Sequence, residues 1–218
     1  MFDRIAPVYD AMNTVMTAGM DARWRRAAAA ATRVGPGMSA IDVACGTGAL
    51  TRELARRVGP AGRVVGVDAS ARMLERARPG RGEWIEYVRA DALALPGDDA
   101  SFDAATIAFG LRNVPDYERC LAEMVRVTRP GGRIVVLELA TPTGLVGRAL
   151  AATWFERIVP TLGRAAGRAD AYRYLPHSVR SFPRPDAVAE LMRAAGLRDV
   201  RWRRLAPGLV TLHAGRVG

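Results

Sequence analysis

The sequence predicts a single α/β domain over residues 1–218, built on a mostly parallel sheet, and three observations predict it. Short apolar runs alternate with segments of helical periodicity, the pattern of repeated strand–helix–strand units. A glycine-rich turn, DVACGTGALT at residues 42–51, joins the first apolar run to the first helix. The chain has 218 residues, of which 50% are hydrophobic, enough for one full core.

The strand-like runs are MSAIDVA (38–44), RVVGVD (63–68), WIEYVRA (84–90), FDAATIAF (102–109) and GRIVVLELA (132–140). Helical patterns lie between them at TRELARRV (51–58), ASARMLERA (69–77) and YERCLAEMVRV (117–127). Crossovers of this kind place successive strands parallel, with right-handed connections. RPGGR (129–133) combines Pro with paired glycines and is expected to stop one helix and start the next strand. Residues 1–34 read as a helical N-terminal segment. Residues 141–197 read as a mostly helical insert interrupted by Pro142, Pro160, Pro176, Pro183 and Pro185. RDVRWRRLA and GLVTLHAGR, on either side of Pro207-Gly208, read as a closing hairpin.

Composition narrows the function classes. Two cysteines, Cys45 and Cys120, do not suggest a disulfide framework and point to a reduced, cytoplasmic setting. The N-terminal MFDRIAPVYD has no basic-then-apolar export pattern. A spanning helix needs roughly 20 apolar residues, and the nearest candidate, LVGRALAATWFERIVPTLG, carries Arg148, Glu156, Arg157 and Pro160. The formal net charge is +10, and all 32 basic residues are arginine, a compositional habit more than a designed surface. Arginine is frequent between residues 164 and 204, which suits either a solvated face or an anionic partner such as nucleic acid or lipid headgroups. No metal-ligand set is read from the sequence.

Gly46 and Gly48 permit a close backbone approach to a ligand and dihedrals that a Cβ forbids. The dinucleotide fingerprint asks for a third glycine where this chain has Thr51. The turn alone is therefore compatible with NAD, with S-adenosylmethionine or with a plain strand–helix connection. Asp68 ends the second strand, where a carboxylate accepts bonds from ribose hydroxyls, with a helix N-cap as the alternative role. Asp42, just before the turn, suits an ammonium or sulfonium and is ill placed against a pyrophosphate. Asp91, after the third strand, is placed to accept from an adenine amino group. Acids at 42, 68 and 91 favour a cationic, phosphate-free adenosine ligand, S-adenosylmethionine.

Asp42-Val-Ala-Cys-Gly-Thr-Gly48 resembles the first motif of the Rossmann-like class I methyltransferases. More specifically, the chain resembles the C-methyltransferases of menaquinone and ubiquinone biosynthesis, on FDRIAPVYDAMN (2–13), FDAATIAFGLRNVPD (102–116), RVTRPGGRIVVLE (126–138) and AYRYLPHSV (171–179). These stretches run in the family's order along nearly the whole chain. The resemblance implies a seven-stranded sheet with an antiparallel last strand, S-adenosylmethionine as methyl donor and a polyprenylated quinol as acceptor. It implies cofactor contacts at Thr47, Asp68, Asp91 and Ala92. A further family position, commonly serine, is Ala108 here, which removes a hydroxyl contact and leaves a backbone one.

Methylating a ring carbon requires that the carbon first become electron-rich, which loss of a phenolic proton achieves. Arg112 and Asn113, directly after the fourth strand, are the candidates to stabilise the phenolate and to orient the hydroxyl, with a structural salt bridge as the alternative role for Arg112. Tyr9 and Asp10 are candidates at the same opening if residues 1–34 fold over it, Asp10 as an alternative base. Tyr172, Tyr174 and His177 form a second polar group in the insert. Met12, Val15, Met16 and Met20, together with Leu150, Trp154, Phe155, Ile158, Val159 and Leu162, read either as ordinary core or as a groove for a prenyl tail. In the second case neighbouring arginines would rest on anionic membrane at the inner face of the plasma membrane. Nucleic acid is not the expected partner, because AFGLRN stands where amino-directed nucleic acid methyltransferases resemble one another in an Asn/Asp-Pro-Pro-aromatic motif. A homodimer is compatible with the sequence, which specifies no oligomeric state. A naphthoquinol acceptor is preferred over a benzoquinol.

Overall fold

The alternation in the sequence is realised as one seven-stranded sheet with helices on both faces. The computed structural model describes residues 14, 17, 19–79, 82–141, 178–205 and 209–218. In chain order the described elements are α1 (Met20–Ala31), β1 (Ser39–Val43), α2 (Ala49–Val58), β2 (Arg63–Asp68), α3 (Ala71–Ala77) and β3 (Ile85–Arg89). They continue as β4 (Phe102–Ala108), a 3-10 turn (Leu111–Asn113), α4 (Tyr117–Val127), β5 (Thr128–Leu139), α5 (Pro185–Ala194), β6 (Leu197–Leu205) and β7 (Val210–Val217). Strand order is β3-β2-β1-β4-β5-β7-β6. β1 pairs parallel with both β2 and β4, so that Ile41 faces Val65 on one side and Ala105 on the other. β7 is antiparallel to β5 and to β6, which is the antiparallel last strand that the resemblance implied.

Strand side chains alternate between faces with a period of two, and this builds two cores from single strands. On β5, Ile134 and Val136 join Leu121, Met124 and Met192 on one face, while Val135 and Leu137 join Leu54, Leu74 and Leu212 on the other. α4 buries Cys120, Leu121, Met124 and Val127, a one-sided stripe, and begins where the Asp116 carboxylate accepts from Arg119 N. The chain reverses direction of strand order between β1 and β4, and the crevice at such a switch point, beyond the carboxyl ends of the strands, is where open α/β sheets bind ligands.

Element bounds differ from the sequence reading in a few places. β5 is paired from Thr128, not from residue 132. Phe102 opposes Thr128 but Ala104 opposes Arg133, so residues 129–132 leave the ladder as an excursion. Gly131 sits there at φ 79, and a Cβ on Gly132 would meet the Asp103 carbonyl oxygen at 2.7 Å. The Pro-Gly-Gly run therefore acts as a bulge inside the strand. α3 starts at Ala71 because Ser70, whose hydroxyl accepts from Met73 N, is its N-cap. Of residues 1–34, α1 is described as a helix; of residues 141–197, a helical turn at 178–181 and α5 are. Residues 142–177 and Pro207-Gly208 lie outside the described residues.

Candidate active site

Four strand exits converge on one cavity of about 250 Å³. Its walls are Ala44 and Gly46 after β1, Val67 to Ala69 at the end of β2, Met73 of α3, Ala90 to Ala92 after β3 and Ala108 to Gly110 with Asn113 to Pro115 after β4. The convergence follows from parallel strands ending together at the switch point.

The glycine turn is shaped by backbone conformations that L side chains adopt at a cost. Gly46 and Gly48 have φ of 57 and 78, and Ala44 joins them at 51. A Cβ on Gly48 would run into the Tyr87 hydroxyl, and one on Gly110 would lie 2.6 Å from the Ala44 Cβ. Glycine at 110 keeps the cavity wall at backbone thickness, and glycine at 48 leaves room for Tyr87 behind it.

Asp42 is fully buried behind this turn. Its carboxylate accepts from Thr51 Oγ1 at 2.7 Å and from Thr106 Oγ1 at 2.8 Å. Burial pushes its pKa up to about 6, against the opposing pull of the two hydroxyls and of the Arg25 charge. Thr51, which breaks the dinucleotide fingerprint, is thus the side chain that ties Asp42 to α2.

Asp68 lies on the cavity wall, and its two carboxylate oxygens accept from Gly46 N and Ser70 N, each at 2.8 Å. It links the glycine turn to the α3 entrance, and the N-cap role belongs to Ser70 instead. Asp91 lines the wall with Ala92 at the neighbouring β3 exit, its carboxylate accepting from Leu93 N at 2.9 Å.

The β4 exit holds the remaining polar groups. Phe109 adopts φ 56 and turns its carbonyl toward two donors, Arg112 Nη1 at 2.6 Å and Asn113 Nδ2 at 3.3 Å. The second bond fixes the Asn113 amide, whose Oδ1 is buried with no hydrogen-bond partner among the described residues. Arg112 Nη1 also donates to Glu138 Oε1 at 2.6 Å, while Glu138 accepts in addition from Arg112 N and Leu139 N. Helix α1 reaches this corner: the Trp24 ring lies 6.3 Å from the Phe109 ring, and the Arg25 guanidinium lies 5.3 Å above it.

Of the residues expected from the sequence, Gly46, Asp68, Asp91, Ala92, Ala108 and Asn113 come together on the cavity wall. Asp42, Thr47, Gly48 and Arg112 stand behind it. Asp42 is held back by its two threonines, Thr47 is buried with its carbonyl accepting from Arg52 Nη1 at 2.8 Å, and Gly48 packs on Tyr87. The Arg112 guanidinium is in the salt bridge that was its alternative role. Tyr9, Asp10, Tyr172, Tyr174 and His177 lie outside the described residues, as do all the expected tail-groove residues except Met20, which is exposed. Thr106, Phe109 and Glu138 escaped the sequence reading. Glu138 had a signal, a lone acid inside the apolar run IVVLELA.

The donor set fits an uncharged nucleoside bearing a cationic tail better than a dinucleotide. Two acids, Asp68 and Asp91, line the cavity, and no cation is among its described lining residues to meet a pyrophosphate. Among the described residues no group of three His, Cys, Asp or Glu gathers to hold a metal, and Cys45 and Cys120 are free. No helix among them is long and apolar enough to cross a membrane.

Known proteins extend this picture. A demethylmenaquinone methyltransferase of Thermus thermophilus is 45% identical over 223 residues, 99% of each chain. A ubiquinone/menaquinone biosynthesis C-methyltransferase of Hahella chejuensis is 42% identical, over 99% of this chain and 89% of the relative. Among solved structures, a S-adenosylmethionine-dependent methyltransferase from Thermotoga maritima superposes with a TM-score of 0.69 at 20% identity, covering 100% of this chain and 98% of its own, a likeness of fold. The signature of the ubiE/COQ5 methyltransferase family matches residues 1–217. The strand order, the glycine turn and the full-length match agree: the chain is a S-adenosylmethionine-dependent methyltransferase and belongs to the ubiE/COQ5 methyltransferase family.

Proposed function

We propose that the chain transfers a methyl group to a ring carbon of a polyprenylated quinol, demethylmenaquinol to menaquinol, with S-adenosylmethionine held in the cavity between Asp68 and Asp91. The observation that carries the reading is the placement of Asp68 beside Gly46, which sets a ribose-binding acid against a backbone-thin wall. The names of the full-length relatives support a quinone precursor as acceptor. When bound, S-adenosylmethionine supplies a methyl group made electrophilic by its sulfonium.

The chain's own residues supply the remainder. Asp42, a buried carboxylate one layer behind the turn, favours the cationic tail through the low-dielectric interior. Asn113, a wall residue whose buried amide oxygen has no partner among the described residues, orients the ring through the quinol hydroxyl. Arg112, fixed by Glu138, holds the Phe109 carbonyl and so positions the wall that carries Asn113. Ala92 and Ala108 on the wall complete the cofactor contacts, Thr47 and Gly48 hold the turn behind them, and Asp10 with Tyr9 is the proposed group for proton removal. The apolar tail of the acceptor and the arginine-rich surface favour peripheral contact with an anionic membrane.

Purified chain with methyl-labelled S-adenosylmethionine and either demethylmenaquinol or the corresponding demethylated benzoquinol tests the reading. Label is expected on the naphthoquinol ring carbon, with a lower rate on the benzoquinol. Label only on an oxygen or nitrogen acceptor, or on neither quinol, refutes it. A faster benzoquinol reaction assigns the ubiquinone step instead.

A further inference from the structure

Six arginines gather on one face of the outer part of the sheet, and none is among the described lining residues of the cavity. Arg133 of β5 opposes Arg216 of β7, and Arg216 opposes Arg198 of β6, a row across three adjacent strands. Directly opposed residues project from the same face, with strands about 4.8 Å apart. The bulge in β6 enlarges the group. From Arg198 to Arg201 that strand advances three residues while β7 advances two, from Arg216 to Ala214, and Asp199 takes φ 54 within it. Strict alternation would turn Arg198 away from Arg201 and Arg203. The extra residue instead sets all three on one face, opposite Arg216, Ala214 and Leu212. All three are exposed.

Charge on this face is barely compensated. Among the described residues one carboxylate meets it: Asp199 Oδ2 accepts from Arg216 Nε at 3.2 Å, and both side chains are exposed. Arg33, Arg133, Arg198, Arg201 and Arg203 make no ion pair among the described residues. Partial burial, and then the charges of Arg33 and Arg216, lower the Arg133 pKa, as expected where like charges oppose one another. Such a surface is complementary to a polyanion. Two observations favour a lipid surface over nucleic acid. Trp202 of β6 points to the other face and stacks on His213 at 5.9 Å, so these strands offer bases no stacking platform. β6 also runs parallel to β5, Leu205 and Leu139 both opposing Val210, so the arginines rise toward the edge where the cavity opens. An acceptor with a prenyl tail reaches that edge from a bilayer.

We propose that this arginine face of β5, β7 and β6 docks the chain on a bilayer of anionic phospholipid headgroups, bringing the carboxyl edge of the sheet beside the lipid that holds the acceptor. The choice of a bilayer as occupant rests on the quinol reading above. Arg198, Arg201 and Arg203 are the principal contacts, being exposed on the edge strand, and Arg33, Arg133 and Arg216 extend the positive field behind them.

Sedimentation of the full chain with vesicles of phosphatidylcholine alone, or of phosphatidylcholine and phosphatidylglycerol in equal parts, tests this. Wild type is expected to bind the anionic vesicles at low salt and to leave them at high salt. Each arginine near an anionic surface contributes about fivefold, so Arg198→Gln/Arg201→Gln/Arg203→Gln should lose about a hundredfold. The matched variant Arg56→Gln/Arg57→Gln/Arg76→Gln, at exposed positions of α2 and α3, removes the same charge and should lose far less. Lysine at 198, 201 and 203 keeps the charge and should keep most of the binding. Equal losses in the two glutamine variants reduce the effect to overall charge and overturn the proposal, as does a wild type that ignores anionic vesicles. A wild type that prefers an oligonucleotide to the vesicles, and loses it in the β6 variant, reassigns the face to nucleic acid and overturns it too. Methyl transfer to the quinol in detergent micelles, read separately, should be unchanged in the β6 variant. A wild type that sediments with anionic vesicles but methylates no quinol fails the acceptor reading and leaves the docking face standing.

Discussion

Arg112 and Glu138 form a buried ion pair, Nη1 to Oε1 at 2.6 Å, with side chains 9% and 0% exposed. The pair fastens the β4 exit to β5 and, through the Phe109 carbonyl, sets the wall that carries Asn113. Removing one partner of such a pair leaves the other charged in a dry interior, at about 3–5 kcal/mol. Glu138→Ala is expected to lose stability in that range by urea unfolding. Adding Arg112→Met should recover part of the loss, with a coupling of at least about 1 kcal/mol in the double-mutant cycle. Additive losses would show that the pair is incidental.

Gly48 and Gly131 share nearly the same conformation, φ 78 and 79, in different surroundings. Nothing lies within 4 Å of a Cβ placed on Gly131, whereas one on Gly48 meets Tyr87. Gly131→Ala should therefore cost only the left-handed penalty, about 1–2 kcal/mol. Gly48→Ala should cost more and abolish cofactor binding, read by thermal unfolding and ligand titration. Equal effects at the two positions count against crowding at the turn.

Burial raises the Asp42 pKa to about 6, against about 3.9 in an unfolded chain. The folded state holds this proton more tightly, so the contribution to stability is full below about pH 4. It is lost as pH rises through about 6, on the order of 3 kcal/mol in all. Asp42→Asn should flatten that part of the stability–pH curve in urea unfolding. A positively charged ligand prefers ionised Asp42, so the affinity for S-adenosylmethionine should weaken from pH 7 to pH 5 in wild type and stay level in Asp42→Asn. A wild-type affinity independent of pH would detach Asp42 from the ligand's charge.

Asp68 and Asn113 occupy different parts of the wall and should fail differently. Asp68→Ala is expected to weaken S-adenosylmethionine about a hundredfold or more, about 2.7 kcal/mol. Asn113→Ala should leave cofactor affinity within about threefold and lower kcat/KM for the quinol by about ten- to a hundredfold. Equilibrium titration beside steady-state kinetics separates the two. Cofactor loss in Asn113→Ala would move that residue to the cofactor side.

Much of this protein was fixed by the order of residues along the chain. The period-two and helical patterns set the strands and helices, because each depends on neighbours within a few residues. Gly46, Asp68 and Asp91 were legible for the same reason: parallel strands all end on one edge, so a residue at a strand's carboxyl end is already placed at the crevice. Asn113 followed from its position just after β4.

Tertiary structure decided which groups meet. Thr106 lies 64 residues from Asp42, and Glu138 lies 26 from Arg112. Sheet register brings them together, and no local pattern encodes it. The same register withdrew Arg112 into an ion pair and left the buried Asn113 oxygen without a partner among the described residues. It also set Arg25 against Phe109, across a contact between α1 and a strand exit far along the chain. Local sequence writes backbone geometry, whereas burial and charge pairing depend on packing between distant segments, and in this protein those two properties set the electrostatics of the site.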